Sequence, residues 1–172
     1  MLPLGLLDAR SPASVLVVDD NAGKRLAVRA MLAPLGHAIV EVDSGRAALL
    51  AIEQQSFAVI LMDVSMPILN GYETAKLIRQ RIESASTPII FLTAYGRDET
   101  ETASAYASGA VDFIFTPVLA DVLRAKVSAF IHLFVQSREL QRSLESITAL
   151  NGALREARRG RARCCRTWRT GS

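Results

Sequence analysis

Cysteine is almost missing from this chain of 172 residues: Cys164 and Cys165 are adjacent, near the end. Neighbouring cysteines give no disulfide framework, and His37 and His132 add no metal-ligand spacing beside them. The expected compartment is therefore reducing, hence cytoplasmic. No run reaches about eighteen apolar residues, so no segment is expected to span a membrane. Met1 to Ser14 holds a brief leucine-rich patch without a basic leader, which argues against a signal peptide. An excess of positive charge is also lacking until the end. Seven arginines from Arg155 to Arg169 against Glu156 give that segment +6, so the formal net charge of +3 leaves −3 for residues 1 to 154. The basic pI belongs to the tail and says nothing about the partners of the body.

Half of the residues are apolar, enough for one ordinary core, so one domain plus an appendage is expected. The most informative stretch is Phe57-Ala58-Val59-Ile60-Leu61-Met62-Asp63, followed by Pro67 and Asn70-Gly71. A short apolar run bounded by turn residues reads as a strand buried on both faces, as in a parallel sheet. Ser14-Val15-Leu16-Val17-Val18-Asp19-Asp20 repeats the design and ends in two acids. Taken alone, Asp63 reads more simply as a helix-capping residue. Three carboxylates converging at one sheet edge change that reading, because like charges at such range repel unless a cation neutralises them. Oxygen ligands of this kind suit a hard divalent ion such as Mg²⁺.

Taken in order, the chain alternates strand and helix. After the first strand Asn21 caps a helix carrying Leu26, Met31, Leu32 and Leu35, and Gly36 stops it. His37 to Val42 is a second strand, and Ser44 caps a helix with Ala47, Ala48, Leu50, Ala51 and Ile52. The third strand is residues 57 to 62, and Gly71 opens a helix to about Ile82. Ile89 to Leu92 is the fourth strand, Asp98 to Ser108 an alanine-rich helix, and Val111 to Phe115 the fifth strand. A long final helix follows Thr116-Pro117. Five such units predict an α/β, doubly wound, flavodoxin-like sheet of five parallel strands in the order 2-1-3-4-5, with an extended C-terminal helix. That order brings Asp19, Asp20 and Asp63 together at the switch point.

Val17-Val18-Asp19-Asp20-Asn21, Leu61-Met62-Asp63-Val64-Ser65-Met66-Pro67, Asn70-Gly71, Phe91-Leu92-Thr93-Ala94 and Gly109-Ala110-Val111-Asp112-Phe113 stand in the order and spacing of a response-regulator receiver domain, which this chain resembles over about residues 13 to 136. The resemblance implies a two-component phosphoacceptor, not an enzyme beyond self-catalysed phosphoryl transfer and slow autodephosphorylation. It makes Asp63 the residue that takes a phosphoryl group from a histidine kinase or phosphotransfer protein. Asp20, Asp63 and the Ser65 backbone carbonyl would ligate Mg²⁺, with Asp19 acting through water. Thr93 would be the switch hydroxyl and Phe113 the aromatic switch. The family's lysine before the proline after strand five is replaced by Thr116, which cannot ion-pair with a phosphoryl oxygen; Lys126 lies about ten residues along the helix and is no obvious substitute. The alternative is thus a phosphorylation-independent docking or dimerisation module. A flavin-binding protein of the same topology is disfavoured, since three carboxylates repel its phosphate. The family's bond before this proline is usually cis, an isomer open to Thr116-Pro117.

The last helix runs past the receiver in a heptad, with Phe130, Ser137, Leu144 and Asn151 at a and Leu133, Leu140, Ile147 and Leu154 at d. Leu123 extends the phase backward. This predicts a homodimer through residues 130 to 154. The organisation expected is a flexible N-terminus at 1–12, a receiver at 13–129, a coiled-coil helix at 130–154 and a basic, disordered tail at 155–172. The arginines and Trp168 could touch nucleic acid, but a solvated tail is the simpler reading.

Overall fold

Residues 13–81, 84–94 and 112–167 are described by the computed structural model. Five parallel strands form the sheet: β1 (Ser14–Val18), β2 (Ala38–Val42), β3 (Val59–Asp63), β4 (Ile89–Ala94) and β5 (Asp112–Thr116). Their order is β2-β1-β3-β4-β5, as the sequence predicts, which sets β3 between β1 and β4. All five residues of β3 are buried, which is why its sequence shows no polar alternation. The helices are α1 (Ala22–Leu32), followed by a 3-10 turn at Ala33–Leu35, then α2 (Gly45–Gln54), α3 (Gly71–Arg79) and α4 (Ala120–Thr167). The helix expected over Asp98 to Ser108 lies outside the described residues. The Thr116-Pro117 bond is cis.

Side-chain alternation along the strands divides the core in two. Val15, Val17, Leu61, Ile90, Leu92 and Ile114 face one side, against Val28 and Leu32 of α1 and Leu123, Val127 and Ile131 of α4. Leu16, Val18, Ile60, Met62 and Phe91 face the other, against Ala48 of α2 and Ala75 and Ile78 of α3. Edge strands β2 and β5 are less buried, and Phe115 is half-exposed.

Local sequence fixes the helix starts. Asn21 accepts the Lys24 N–H at the head of α1, and Ser44 accepts the Ala47 N–H at the head of α2. Asn70 and Glu73 form a reciprocal capping box at α3. That helix is drawn tightly onto the acid-bearing strand, for the Gly71 N–H donates to the Val64 carbonyl at 3.1 Å. A Cβ at Gly71 would stand 2.4 Å from the Asp63 carbonyl oxygen and 3.0 Å from the Val64 Cα, both of them backbone atoms. Gly71→Ala is accordingly expected to cost about 1–3 kcal/mol, the range for overpacking a tight site. Urea unfolding would read this as a lower midpoint; an unchanged midpoint would mean that the loop yields without strain.

The last helix packs on the first core before it runs on past the receiver. Ile131 is buried in the first core, and Phe130, Phe134 and Val135 pack against it, so the apolar face leaves the core later than a boundary at 129 implies. α4 runs on through residues 155–167. Alanine, arginine and glutamate are good helix formers, and helical propensity needs no apolar periodicity. The described residues divide into two units, one up to Val135 and one from Gln136 onward. No helix among the described residues is long and apolar enough to cross a membrane.

Candidate functional site

Parallel pairing of β1 with β3 puts Val18 beside Met62, so the residues that follow, Asp19 and Asp63, emerge together at the carboxyl edge. One carboxylate oxygen from each of Asp19, Asp20 and Asp63 lies within 4.8 Å of the others. Asp19 and Asp63 are buried, while Asp20 is exposed. The Asn21 N–H donates to Asp19 Oδ1 at 2.8 Å, which holds that side chain toward the cluster. Arg25 is committed to backbone, its Nη1 donating to the Asp19 carbonyl at 2.7 Å.

A residue that the sequence reading did not single out joins them. Lys24 Nζ donates to Asp63 Oδ2 at 3.1 Å and stands 3.8 Å from Asp19 Oδ2. The signal lay in its position. Lys24 is in the first turn of α1, where the helix dipole disfavours a cation, so nearby negative charge has to offset that cost. Lys126, in contrast, is paired with Asp112 across β5 and α4.

The remaining residues gather around the same edge. Asp63 pairs in register with Leu92, which places Thr93 one residue further along the adjacent strand, half-buried. Thr93 in turn pairs with Phe115, and Ala94 with Thr116. The Thr116 hydroxyl donates to the Thr93 carbonyl at 3.3 Å, so it tethers β5 to β4. Phe113 packs against the second core, its ring centroid 5.7 Å from that of Phe91, which is itself edge-on to Tyr72 at 4.9 Å. Ser65 lies exposed in the loop after β3.

Electrostatics follow from this crowding. Burial, the largest influence, pushes the Asp19 carboxyl above its usual range. The Asn21 N–H works against the shift, Asp63 and Asp20 add to it, and Lys24 opposes it. The Lys24 ammonium is itself raised: burial acts to lower it, but the hydrogen bond and charge of Asp63, with Asp19 and Asp20, outweigh that. Because Asp19 is raised in the folded state, that state takes up a proton first as pH falls. The destabilisation from charged Asp19 is present at neutral pH and relieved as pH drops through its raised value. Asp19→Asn, which keeps an acceptor for the Asn21 N–H, is expected to raise the melting temperature without Mg²⁺ and to shrink the further rise that Mg²⁺ gives. Calorimetric melts at pH 7 check this; a lower melting temperature without the ion would show that the Asp19 charge is net stabilising. The donor set is hard, anionic and short of cations, which fits a divalent ion with oxygen ligands.

The model of the response regulator receiver domain matches residues 15–128. Over 152 residues the chain is 34% identical to the sensor protein GacS of Pseudomonas syringae pv. syringae, covering 86% of this chain and 16% of that protein. It thus spans about a sixth of that relative's length. Among solved structures it resembles the chemotaxis protein CheY4 of Vibrio cholerae (TM-score 0.65, 29% identity, 70% of this chain and 99% of that one). It is equally similar to the receiver domain of a sensor histidine kinase from Pseudomonas aeruginosa PAO1 with a magnesium ion coordinated in its active-site cleft (TM-score 0.65, 29% identity, 71% and 99%).

Proposed function

Since this chain belongs to the response regulator receiver domain family, we propose that Asp63 is its phosphoacceptor, charged by a histidine kinase or a phosphotransfer protein in the cytoplasm. The observation that carries this reading is the convergence of Asp19, Asp20 and Asp63 at the carboxyl edge of a parallel sheet. Phosphoryl transfer asks for an in-line nucleophile and charge stabilisation rather than a proton shuttle, and a carboxylate meets that need. Asp20, Asp63 and the Ser65 carbonyl would hold Mg²⁺, with Asp19 acting through water; the magnesium in the P. aeruginosa receiver's cleft supports this choice of ion. Bound there, Mg²⁺ supplies positive charge to the phosphoryl oxygens.

Asp63 presents its carboxylate to phosphorus, and the backbone N–H groups of the loop after β3 with the Thr93 hydroxyl hold the equatorial oxygens. Movement of Thr93 lets Phe113 change rotamer on the β4–β5 edge. The chain is a relay rather than an enzyme with its own substrate. Its receiver, residues 13–129, passes the change through α4 to a homodimer formed over residues 130–154. The alternative of a receiver that no longer switches rests on Thr116 alone.

Incubation with acetyl phosphate and Mg²⁺, followed by intact mass, tests the reading. One added phosphoryl group per chain is expected, with none when the ion is removed by chelation. An unlabelled wild-type chain would overturn the proposal.

A further inference from the structure

We propose that Lys24, on the opposite side of the sequence from the family's usual position, supplies the ammonium that pairs with the phosphoryl group on Asp63. The inference rests on Asp63 being the acceptor and concerns which residue stabilises the product. Lys24 Nζ already lies 3.1 Å from the Asp63 Oδ2 and 3.8 Å from Asp19. Among the described residues, Lys24 supplies the ion pairs at this cluster. Lys126 is taken by Asp112, Arg25 by the Asp19 carbonyl, and Thr116 carries no charge and donates to the Thr93 carbonyl.

Charge makes the need concrete. During transfer an Asp63 oxygen bonds to phosphorus while the donor's P–O bond breaks. With acetyl phosphate, acetate leaves with the bonding electron pair and no proton is gained or lost. Asp63, which carried one negative charge, becomes an acyl phosphate carrying about two. Asp19 and Asp20 remain beside it. A divalent ion does not balance that total, and a further cation is required for the product to be favourable. The Lys24 side chain is 52% exposed, so its flexible stem is not locked by packing and its head can follow the charge from the carboxylate to a phosphoryl oxygen. Such a charge-assisted hydrogen bond is about twice as strong as a neutral one. The same residue explains how the chain accommodates Thr116: the cation comes from α1 instead of the β5 end.

The test compares full-length wild type, Lys24→Met, Lys24→Arg, Thr116→Lys and the double variant Lys24→Met with Thr116→Lys. Two quantities are measured at saturating Mg²⁺. One is the rate of uptake from acetyl phosphate by intact mass. The other is the affinity for beryllofluoride, a stable phosphoryl mimic, by fluorine NMR. Lys24→Met is expected to lower both about tenfold, the scale of one hydrogen bond to a charged group, and Lys24→Arg to recover part of the loss. In the double variant, Thr116→Lys should restore both, and its gain there should exceed its gain in the wild-type background. Lys24→Met should also bind Mg²⁺ more tightly, because a competing cation has left Asp63. The proposal is overturned if Lys24→Met matches or exceeds wild type in uptake and beryllofluoride affinity, since Lys24 would then only compete with the metal. Equal gains from Thr116→Lys in both backgrounds would overturn it as well. A wild-type chain that takes up no label at all overturns both this inference and the acceptor role of Asp63, whereas labelling that ignores Lys24 leaves the acceptor role standing.

Discussion

Asp63→Asn is expected to abolish phosphoryl uptake, leaving intact mass unchanged after hours with acetyl phosphate and Mg²⁺. The effect is total rather than graded because the nucleophile itself is removed: an amide oxygen carries no charge to donate to phosphorus, and an acyl phosphate cannot form on it. The fold should survive. Asp63 closes a fully buried strand, and asparagine keeps its shape and an oxygen that can accept from Lys24 Nζ. Loss of one of three crowded negative charges should, if anything, stabilise the protein without the ion. Asp20 is the exposed carboxylate in the cluster and the natural alternative acceptor. If Asp63→Asn is labelled to the same extent as wild type, the acceptor assignment is wrong, and peptide mapping would then be directed at Asp20.

Leu140→Asp combined with Ile147→Asp should convert a dimer into a monomer with an intact receiver. Leu140, Leu144 and Ile147 are exposed along α4 at spacings of four and three residues, and exposed Leu154 follows one heptad after Ile147. Such a stripe has the spacing that a parallel coiled-coil seam requires, and Asn151 falls at a position where a polar residue would fix register and stoichiometry. Two aspartates per protomer would put four unpaired charges into that seam, a cost that a few heptads cannot meet. Sedimentation equilibrium reads the change directly, and circular dichroism confirms that the sheet persists. Asn151→Leu is the subtler arm, expected to tighten association while admitting other stoichiometries. A chain ending at Gln136 that remains dimeric would show that the receiver itself makes the contact.

Element order, sheet order and the meeting of the three acids were legible because they rest on strong local signals. Doubly buried strands read as unbroken apolar runs, and Asn21, Ser44 and Gly71 announce the helices that follow them. Which residue of a helix faces inward was less legible. Leu26 and Leu50 are exposed, while Val28 and the small Ala48 are the buried positions. Hydrophobicity alone does not give the phase of a helix against a sheet whose grooves accept small side chains. The heptad met the same limit: its a column begins with Leu123 and Phe130, which pack into the receiver core, whereas Leu133 of the d column is exposed. Lys24 was missed because its role depends on a contact between residues 39 positions apart. Spacing within a motif cannot show a side chain that arrives from the next helix.

The persistence of α4 through Thr167 has a bearing on ionic strength. A helix that carries the arginines of residues 155–167 onward from the seam would align two strongly cationic segments side by side in a parallel pair. In an antiparallel pair, each would instead lie toward the net-negative body of the other protomer. Screening acts within about 10 Å at 0.1 M salt, so it reaches adjacent helices. Added salt should therefore tighten a parallel dimer by relieving repulsion and loosen an antiparallel one by weakening attraction. The direction of that salt dependence reports the polarity of the helices without any substitution in the chain.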